Sequence, residues 1–212
     1  MFNIAIDGPS AAGKSTISKI LAKKLGMTHL DTGAMYRCLA LKALSLGIDV
    51  DQEEALVACL NHTQIELKGD QVLLDQEDVS EAIREPRVSR GASDVSRWPK
   101  VRKEMVARQQ ALCEKKGFIL DGRDIGTVVL PDAKLKIFLV ASVQARAKRR
   151  FEDEKKKNPS LTLEEVEKAM EERDQQDETR AASPLVQAKD AIRIDCSNLN
   201  VQEVVEEVLK HL

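Results

Sequence analysis

The chain has 212 residues, with 33 Lys or Arg, 35 Asp or Glu and a formal net charge of −2. This balance gives no general attraction to polyanions, and four Phe, one Tyr and one Trp offer few surfaces for base stacking, so we expect no nucleic-acid partner. No run of about 18 uncharged apolar residues occurs, so we expect no membrane-spanning helix and no membrane partner.

The first residues and the cysteines indicate a compartment. The segment MFNIAIDGPS has neither the basic region nor the cleavage site of a secretion signal. The four cysteines lie too far apart for a CxxC metal site and are typical of reduced thiols. We therefore expect a cytoplasmic protein, and its charge-rich composition favours a monomer.

Short apolar segments alternate with helical sequence along the chain. The segments predicted as buried strands are residues 2–6, 29–33, 118–120, 135–140 and 192–195. Helical spacing follows the first at Ile17, Ile20, Leu21 and Leu25, a second helix runs to Gly47, and an apolar stripe from Val201 to Leu212 marks the last helix. Polar, helix-permissive sequence follows the third and fourth segments. This alternation predicts an α/β fold of three α/β/α layers around a five-stranded parallel sheet.

Two segments depart from the alternation. Residues 63–79 alternate in polarity around a Gly69-Asp70 turn, which predicts a small β-hairpin or three-stranded insert outside the main sheet. Residues 146–160 are dense in charge and precede a capping box formed by Thr162 and Glu165. Charge alone favours a solvated helix with a loop for this second segment, and a mobile cover over a phosphate site is the alternative.

A glycine-rich motif between the first strand and the first helix predicts a nucleoside triphosphate site. The sequence GPSAAGKS satisfies G-x-x-x-x-G-K-[ST], in which backbone N–H groups and the helix N-terminus surround the phosphates. The lysine can reach the β- and γ-phosphates, and the serine hydroxyl can bind Mg²⁺. The predicted ATP-binding residues are Gly8, Pro9, Ser10, Ala11, Ala12, Gly13, Lys14, Ser15 and Thr16, with Ser15 as the metal ligand.

The rest of the chain favours a phosphoryl-transfer enzyme over a guanine-nucleotide switch or an ATPase. No NKxD motif for reading guanine occurs, and Asp121 in FILDGRDIG lacks the adjacent Glu of a typical ATPase. Arginines beside turn-forming residues are Arg37, Arg102, Arg123, Arg173 and Arg180. Their planar guanidinium groups suit a kinase whose acceptor is itself a phosphate. A kinase for another small anion, such as UMP or a hydroxyl metabolite, and a regulatory ATPase remain the alternatives.

Several longer motifs resemble those of the bacterial cytidylate kinases. They are GPSAAGKST, LDTGAMYR, EAIREPRVSRGASDVS, WPKVR, LDGRDIGTVVLPDA and ERDQQDETRAASPL, in order from Asn3 to the last helix. Members of that family transfer the ATP γ-phosphoryl group to CMP or dCMP. The resemblance implies a core P-loop domain (1–36, 96–145 and 178–212), an NMP-binding domain with the β insert (37–95) and an ATP lid with flanking helices (146–177).

The resemblance also implies residue roles. The substrate-binding set is Thr32 and Arg37 near the acceptor phosphate, Arg123 and Arg180 on the phosphates, Ser93, Arg102 and Asp124 on cytosine, Asp177 and Arg173 at the ribose, with Asp121 and Gly122 beside them. The catalytic set is Lys14, Arg37, Arg123 and Arg180, with Mg²⁺ as cofactor and ATP as donor. Arg149 or Arg150 of the lid could approach ATP. The chain departs from the family's pattern at Lys100, where Arg is usual, and at Thr32, where Ser is frequent.

Overall fold

The architecture is known from a computed structural model that describes residues 1–156 and 158–212. A five-stranded parallel sheet lies between helices, which confirms the predicted three-layer α/β/α fold. The strands of this sheet are β1 (Ile4–Asp7), β2 (Thr28–Asp31), β6 (Phe118–Gly122), β7 (Leu135–Val140) and β8 (Ile192–Asp195), in the spatial order β2-β6-β1-β7-β8.

The helices follow the strands in the order expected for crossover connections. They are α1 (Lys14–Leu25), α2 (Thr32–Ser45), α3 (Glu53–Asn61), α4 (Pro86–Ser96), α5 (Pro99–Leu112), α6 (Val143–Glu154), α7 (Leu163–Thr179) and α8 (Val201–Leu209). A short 3₁₀ turn, Ala82–Arg84, precedes α4, and a π-helical turn, Ile125–Val129, follows β6. No helix in the described part of the chain is both long and apolar enough to cross a membrane.

Apolar side chains cover both faces of the sheet. On one face, Ile6 and Ile137 pack with Leu21 of α1 and Val205 of α8, all buried. On the other face, Leu30 and Leu120 pack with Cys113 at the end of α5 and with the π-helical turn. Complete burial of one such aliphatic side chain contributes about 1.5–3 kcal/mol, so the sheet is a rigid platform for the loops at its carboxyl edge.

The predicted β insert is present as a separate three-stranded antiparallel sheet. Its strands are β3 (Ile65–Lys68), β4 (Gln71–Leu74) and β5 (Glu77–Asp78). β3 and β4 join through the Gly69-Asp70 turn, with Lys68 opposite Gln71. The buried side chains of Val72 and Leu74 pack toward Ala34 and Cys38 of α2, which attaches the small sheet to the main body.

Several predicted strand and helix limits differ from the structure. The second strand ends at Asp31, because Asp31 accepts a hydrogen bond from the Ala34 backbone N–H (3.0 Å) and starts α2 there. The helix-permissive sequence after β6 begins with a short π-helical turn. The apolar stripe of α8 is buried only in its centre: Val201 and Leu212 are exposed, and the helix ends at Leu209.

The charge-dense segment after β7 is a helix followed by a loop, as its charge predicts, and its described residues are half-buried or exposed except at its start, where it is buried. It forms most of α6, in which Arg146 is buried and pairs with Asp174 of α7 (2.6 Å). The capping box at Thr162 and Glu165 is present and begins α7. Lys157, inside the predicted lid, lies outside the described residues. The two helices also share a small apolar core of Ala147, Val166 and Met170, to which Ala11 is packed.

Candidate active site

The glycine-rich loop leaves the carboxyl end of β1 and turns directly into α1. Gly8 has φ of 148°, and a Cβ there would lie 2.0 Å from the Leu139 carbonyl oxygen. No larger residue can occupy this position without moving β7. Ala11 (φ 56°) and Gly13 (φ 92°) are also left-handed, and their alternation with ordinary residues gives the loop the concave form that suits a phosphate.

Lys14, the first residue of α1, lies beneath this loop. Its side chain is buried, and Nζ donates to the Pro9 carbonyl oxygen (2.7 Å). Burial, with Arg123 close by, lowers the pKa of Lys14 to about 7. An anion bound in the loop favours the charged amine, because it adds to the negative charge that Asp121, Asp177 and Asp7 already place near the buried lysine.

Asp121, at the end of β6, is fixed at three points. Ser15 Oγ donates to Asp121 Oδ2 (2.7 Å), His29 Nε2 lies 2.5 Å from Asp121 Oδ1, and Thr32 Oγ1 donates to the Asp121 carbonyl oxygen (2.7 Å). Within the described part of the chain no group of three or more His, Cys, Asp or Glu side chains could hold a metal alone. The hydroxyl and carboxylate pair instead suits Mg²⁺, which prefers oxygen ligands and keeps waters and substrate phosphates.

Arg37 extends from α2 toward the same edge of the sheet. Its Nη2 donates to Asp31 Oδ2 (2.7 Å), and Asp31 also caps α2 through Ala34. Burial alone would raise the pKa of Asp31, but the Arg37 guanidinium and His29 hold that pKa below its usual value. The arginine is thereby held in place with part of its guanidinium still facing the cleft.

Three arginines surround Asp177 near the end of α7. Arg123 Nε donates to Asp177 Oδ2 (2.7 Å) and Arg180 Nη1 donates to Asp177 Oδ1 (3.2 Å). Burial would raise the pKa of Asp177, but Arg123, Arg173 and Arg180 together hold it below its usual value. Arg173 Nε has no hydrogen-bond partner among the described residues, and burial with Arg123 nearby lowers its pKa to about 10. The cluster has more positive than negative charge and suits an anion.

Arg102 and Asp124 form a second buried pair. Arg102 Nη2 donates to Asp124 Oδ2 (2.6 Å) and Nη1 donates to the Ser96 carbonyl oxygen (3.1 Å). The guanidinium lies 5.4 Å from the ring centroid of Tyr36. This arrangement presents hydrogen-bond donors and a carboxylate acceptor side by side.

Asp7 supports the turn that carries these residues. Its Oδ1 accepts from the Ile125 N–H (2.8 Å) and its Oδ2 from the Gly126 N–H (2.7 Å). Burial raises the pKa of Asp7 to about 6. Because both oxygens bind the π-helical turn, Asp7 fixes the direction in which Arg123 and Asp124 leave β6.

One cavity of about 690 Å³ collects nearly all of the predicted site residues. The predicted residues that line it are Ser10, Ala11, Ala12, Gly13, Lys14, Ser15, Thr16, Thr32, Arg37, Arg102, Asp121, Gly122, Arg123, Asp124, Arg173, Asp177 and Arg180. Gly8 and Pro9 form the base of the loop. Ser93 lies behind the wall made by its helical neighbours Ala92 and Ser96, and its Oγ donates to Gln176 Oε1 (3.0 Å).

Arg149 and Arg150, in the predicted lid, both line this cavity, at different places. Arg149 Nη2 donates to the Cys196 carbonyl oxygen (2.6 Å), beside the start of α8. Arg150 pairs with Glu154 (2.5 Å) and lines a smaller cavity of about 210 Å³ together with Ser15 and Arg37. The two side chains therefore face different parts of a ligand that fills the cleft.

Comparisons with known proteins agree with this geometry. Residues 4–212 match the family described as cytidylate kinase. The chain belongs to the cytidylate kinase family. It is 53% identical over 212 residues to a cytidylate kinase of Caldicellulosiruptor saccharolyticus, covering 98% of this chain and 94% of that protein. It is 51% identical to the cytidylate kinase of Bacillus pumilus, covering 98% and 94% respectively.

Solved structures show the same fold in other P-loop kinases. A gluconokinase from Sinorhizobium meliloti matches with a TM-score of 0.52 at 14% identity, over 99% of this chain and 90% of that one. A shikimate kinase from Bacteroides thetaiotaomicron matches with a TM-score of 0.50 at 12% identity, over 99% and 97%. At such identities the likeness concerns the fold alone.

Several residues that line the cavity were not predicted from the sequence as site residues. They are Tyr36, Ser89, Ser96, Asp153 and Cys196. Tyr36 lies within the LDTGAMYR motif, so its position beside Arg37 was a usable signal. His29 contacts Asp121 although 92 residues separate them, and no spacing in the sequence indicates that contact.

Proposed function

We propose that this protein transfers the γ-phosphoryl group of ATP to the phosphate of CMP or dCMP, with Mg²⁺, giving ADP and CDP or dCDP. Family membership supports this proposal. The observation that carries it is that Lys14 of the phosphate loop lines the same cavity as Arg37, Arg123, Arg173 and Arg180. A cavity lined both by a triphosphate loop and by several half-buried or buried arginines suits two phosphorylated substrates.

At the donor end, backbone N–H groups of the loop, other than at Pro9, which has none, bind the ATP phosphates, and Lys14 bridges toward the transferred group. Ser15 and Asp121 would hold Mg²⁺, which supplies neutralisation of charge on the β- and γ-phosphates. Arg149 lies beside the start of α8, where the nucleoside of ATP would extend, and Arg150 lies nearer Ser15 and the phosphates. We therefore assign Arg149 to the nucleoside side and Arg150 to the phosphate side.

The transfer itself is a direct in-line displacement. The CMP phosphate oxygen is already anionic near neutral pH and needs no strong base, so catalysis consists of positioning and charge stabilisation. Arg37, Arg123 and Arg180 neutralise the two phosphates as they approach, and Thr32 orients the acceptor side. No covalent phosphoenzyme forms. Because Asp31 and Asp177 already hold these guanidinium groups, little reorganisation is needed when substrate binds.

Cytosine is distinguished by its 4-amino donor and its N3 and O2 acceptors. The Arg102 and Asp124 pair offers both kinds of partner in one buried place, and Ser93 is the third proposed contact. Asp177, with Arg173 nearby, would hold the ribose hydroxyls. Uracil presents an acceptor where cytosine has its amine, so a carboxylate there rejects UMP.

Domain movement is part of the proposal. Residues 37–95 would close over CMP and residues 146–177 over ATP, against the core of 1–36, 96–145 and 178–212, which excludes water and limits ATP hydrolysis. Arg146 connects the lid to the loop, because its Nη1 donates to the Ser10 carbonyl oxygen (3.1 Å). We also propose that the protein acts as a monomer in the cytoplasm, where reducing conditions suit its four buried thiols.

A coupled assay of ADP release tests the proposal. Mg-ATP is supplied in parallel with CMP, dCMP, UMP, AMP, shikimate or no acceptor. We expect ADP release with CMP and dCMP only. Equal release without an acceptor would identify an ATPase, and preferential release with shikimate or UMP would identify a kinase for a different small anion.

A further inference from the structure

His29 is a partly buried histidine that the proposed reaction does not yet use. It lies on β2, whose side chains alternate, so that His29 and Asp31 share one face and Thr28 and Leu30 the other. The parallel pairing of β2 with β6 places Asp31 opposite Asp121 and His29 opposite Ile119. His29 is therefore a diagonal neighbour of Asp121, two residues back along the adjacent strand.

The imidazole contacts one oxygen of a carboxylate whose other oxygen faces the phosphate loop. His29 Nε2 lies 2.5 Å from Asp121 Oδ1, and Ser15 Oγ donates to Asp121 Oδ2 at 2.7 Å. The side chains of His29 and Asp121 are only 9% and 4% exposed. Since a carboxylate oxygen only accepts, the histidine donates from Nε2, and the three groups form one chain from β2 to α1.

The neighbouring carboxylate shows why this contact is needed. Asp31 and Asp121 are directly opposite on adjacent strands, so they lie close together with like charge. Asp31 is held away by Arg37 and by the Ala34 N–H. Among the described residues, the Asp121 carboxylate has two hydrogen-bond partners, His29 and Ser15. Ser15 is itself a proposed metal ligand.

We propose that His29 is a positioning residue for the magnesium site: it holds Asp121 Oδ1 so that Oδ2 remains directed at Ser15 and the metal. This inference rests on the proposed function. Ligating carboxylates are commonly fixed by a hydrogen bond to the oxygen that does not face the metal, and loss of such a partner weakens metal affinity about 10- to 100-fold. Without His29, the Asp121 carboxylate can rotate about its side-chain bonds, and its direction is no longer determined.

Two substitutions separate this role from packing. His29→Gln keeps an N–H donor near the position of Nε2, whereas His29→Leu keeps the side-chain volume approximately but has no donor. A packing role alone predicts the same behaviour for both variants. A positioning role predicts that Gln restores what Leu loses.

The test measures metal affinity without turnover. Mn²⁺ is titrated into the complex of the full chain with ADP, with protein in excess so that all ADP is bound, and free Mn²⁺ is read from its EPR signal. We expect wild type and His29→Gln to bind Mn²⁺ with similar affinity and His29→Leu to bind it about tenfold more weakly. Equal Mn²⁺ affinity in wild type and His29→Leu would overturn the inference.

Controls keep that result interpretable. ADP affinity in EDTA should be the same in all three proteins, because the hydrogen bond of His29 among the described residues goes to Asp121 and not to the phosphate loop. If His29→Leu loses metal-free ADP affinity as well, the histidine has a general structural role and the inference is overturned. In steady-state assays, the apparent KM for Mg²⁺ should rise in His29→Leu while the KM for CMP is unchanged. If the wild type does not phosphorylate CMP, the proposed function fails. If the wild type phosphorylates CMP and His29→Leu binds Mn²⁺ as tightly as the wild type, only the inference about His29 fails.

Discussion

The two ends of the cavity are built in different ways. The donor end is mainly backbone: residues 8–13 form a loop in which Gly8, Ala11 and Gly13 have left-handed backbone conformations. The acceptor end is made of side chains in charged or hydrogen-bonded pairs that join distant parts of the chain. Arg123 and Asp177 are 54 residues apart, and Ser93 and Gln176 are 83 apart.

The difference separates general from specific recognition. A loop that binds through its backbone accepts any triphosphate, because its N–H groups contact only phosphate oxygens. The charged pairs at the other end can be exchanged one residue at a time without disturbing the loop, so acceptor choice is expected to depend on them. Changes at the donor end should therefore reduce rates with every acceptor, and changes at the acceptor end should alter which acceptor is used.

The largest effect is expected at Lys14. Lys14→Met keeps the length of the side chain but removes the positive charge that stabilises the transferred phosphoryl group. We therefore expect kcat/KM to fall about 10²- to 10³-fold. The ratio of rates with CMP and UMP should stay the same, because the acceptor contacts are intact. Lys24→Met, in the last turn of α1, is the matched control and should retain full activity. CMP phosphorylation at the wild-type rate in Lys14→Met would refute the donor-end assignment.

Asp177 tests whether the acceptor end depends on its charge pairs. Asp177→Asn leaves Arg123, Arg173 and Arg180 near one another without the buried carboxylate, and the free energy of unfolding should fall by about 3 kcal/mol, measured by urea denaturation. The KM for CMP should rise more than the KM for ATP. Asp51→Asn, which removes an exposed partner of Arg97, should change stability by less than about 1 kcal/mol. Equal stability of Asp177→Asn and wild type would show that the arginines do not need this carboxylate.

Asp7 connects the end of β1, where the phosphate loop begins, to the π-helical turn after β6. We expect its contribution to stability to depend on pH. Its pKa of about 6 in the native state lies above its ordinary value of 3.8. As pH rises from about 4 to 6, the unfolded chain loses this proton first, so the stability of wild type falls. Relative to Asp7→Asn, which lacks the titration, wild type should lose up to about 3 kcal/mol over this interval. Urea denaturation at several pH values measures the difference. A constant difference between the two proteins would contradict a raised pKa.

The donor end could be predicted from sequence alone because its residues are contiguous. The motif of residues 8–16 also fixes its own geometry, through Gly8 and the start of α1. The alternation of apolar segments was sufficient for the parallel sheet, and the Gly69-Asp70 turn for the insert. The edges of α8 were wrong because an apolar stripe does not show how far the neighbouring elements extend to cover it.

The acceptor end was predicted as a set of residues but not as a set of contacts. Resemblance to a family supplied Asp124 and Asp177, but it did not show that each is paired with an arginine. Arg146 was expected in a solvated helix, yet it is buried against Asp174. Such pairs depend on which elements meet in three dimensions, and charge counted along one element does not contain that information.

The smallest effect is expected at Ser93, which is proposed to contribute to the preference for CMP over UMP. Its hydroxyl donates to Gln176 Oε1, so a cytosine ligand must compete with Gln176 for it. Ser93→Ala should reduce the preference for CMP over UMP by about fivefold, the value of one neutral hydrogen bond. Gln176→Leu frees the hydroxyl, so the preference should persist and the KM for CMP should not rise.

The double variant decides between direct and indirect reading of the base. If Ser93 contacts cytosine itself, the double variant should match Ser93→Ala, because Gln176 then matters only through that hydroxyl. If Ser93→Ala keeps the full preference for CMP, base reading belongs to Arg102 and Asp124 alone. Specificity would then reside in a single buried ion pair, and the contact between α4 and α7 would serve only to hold the two helices together.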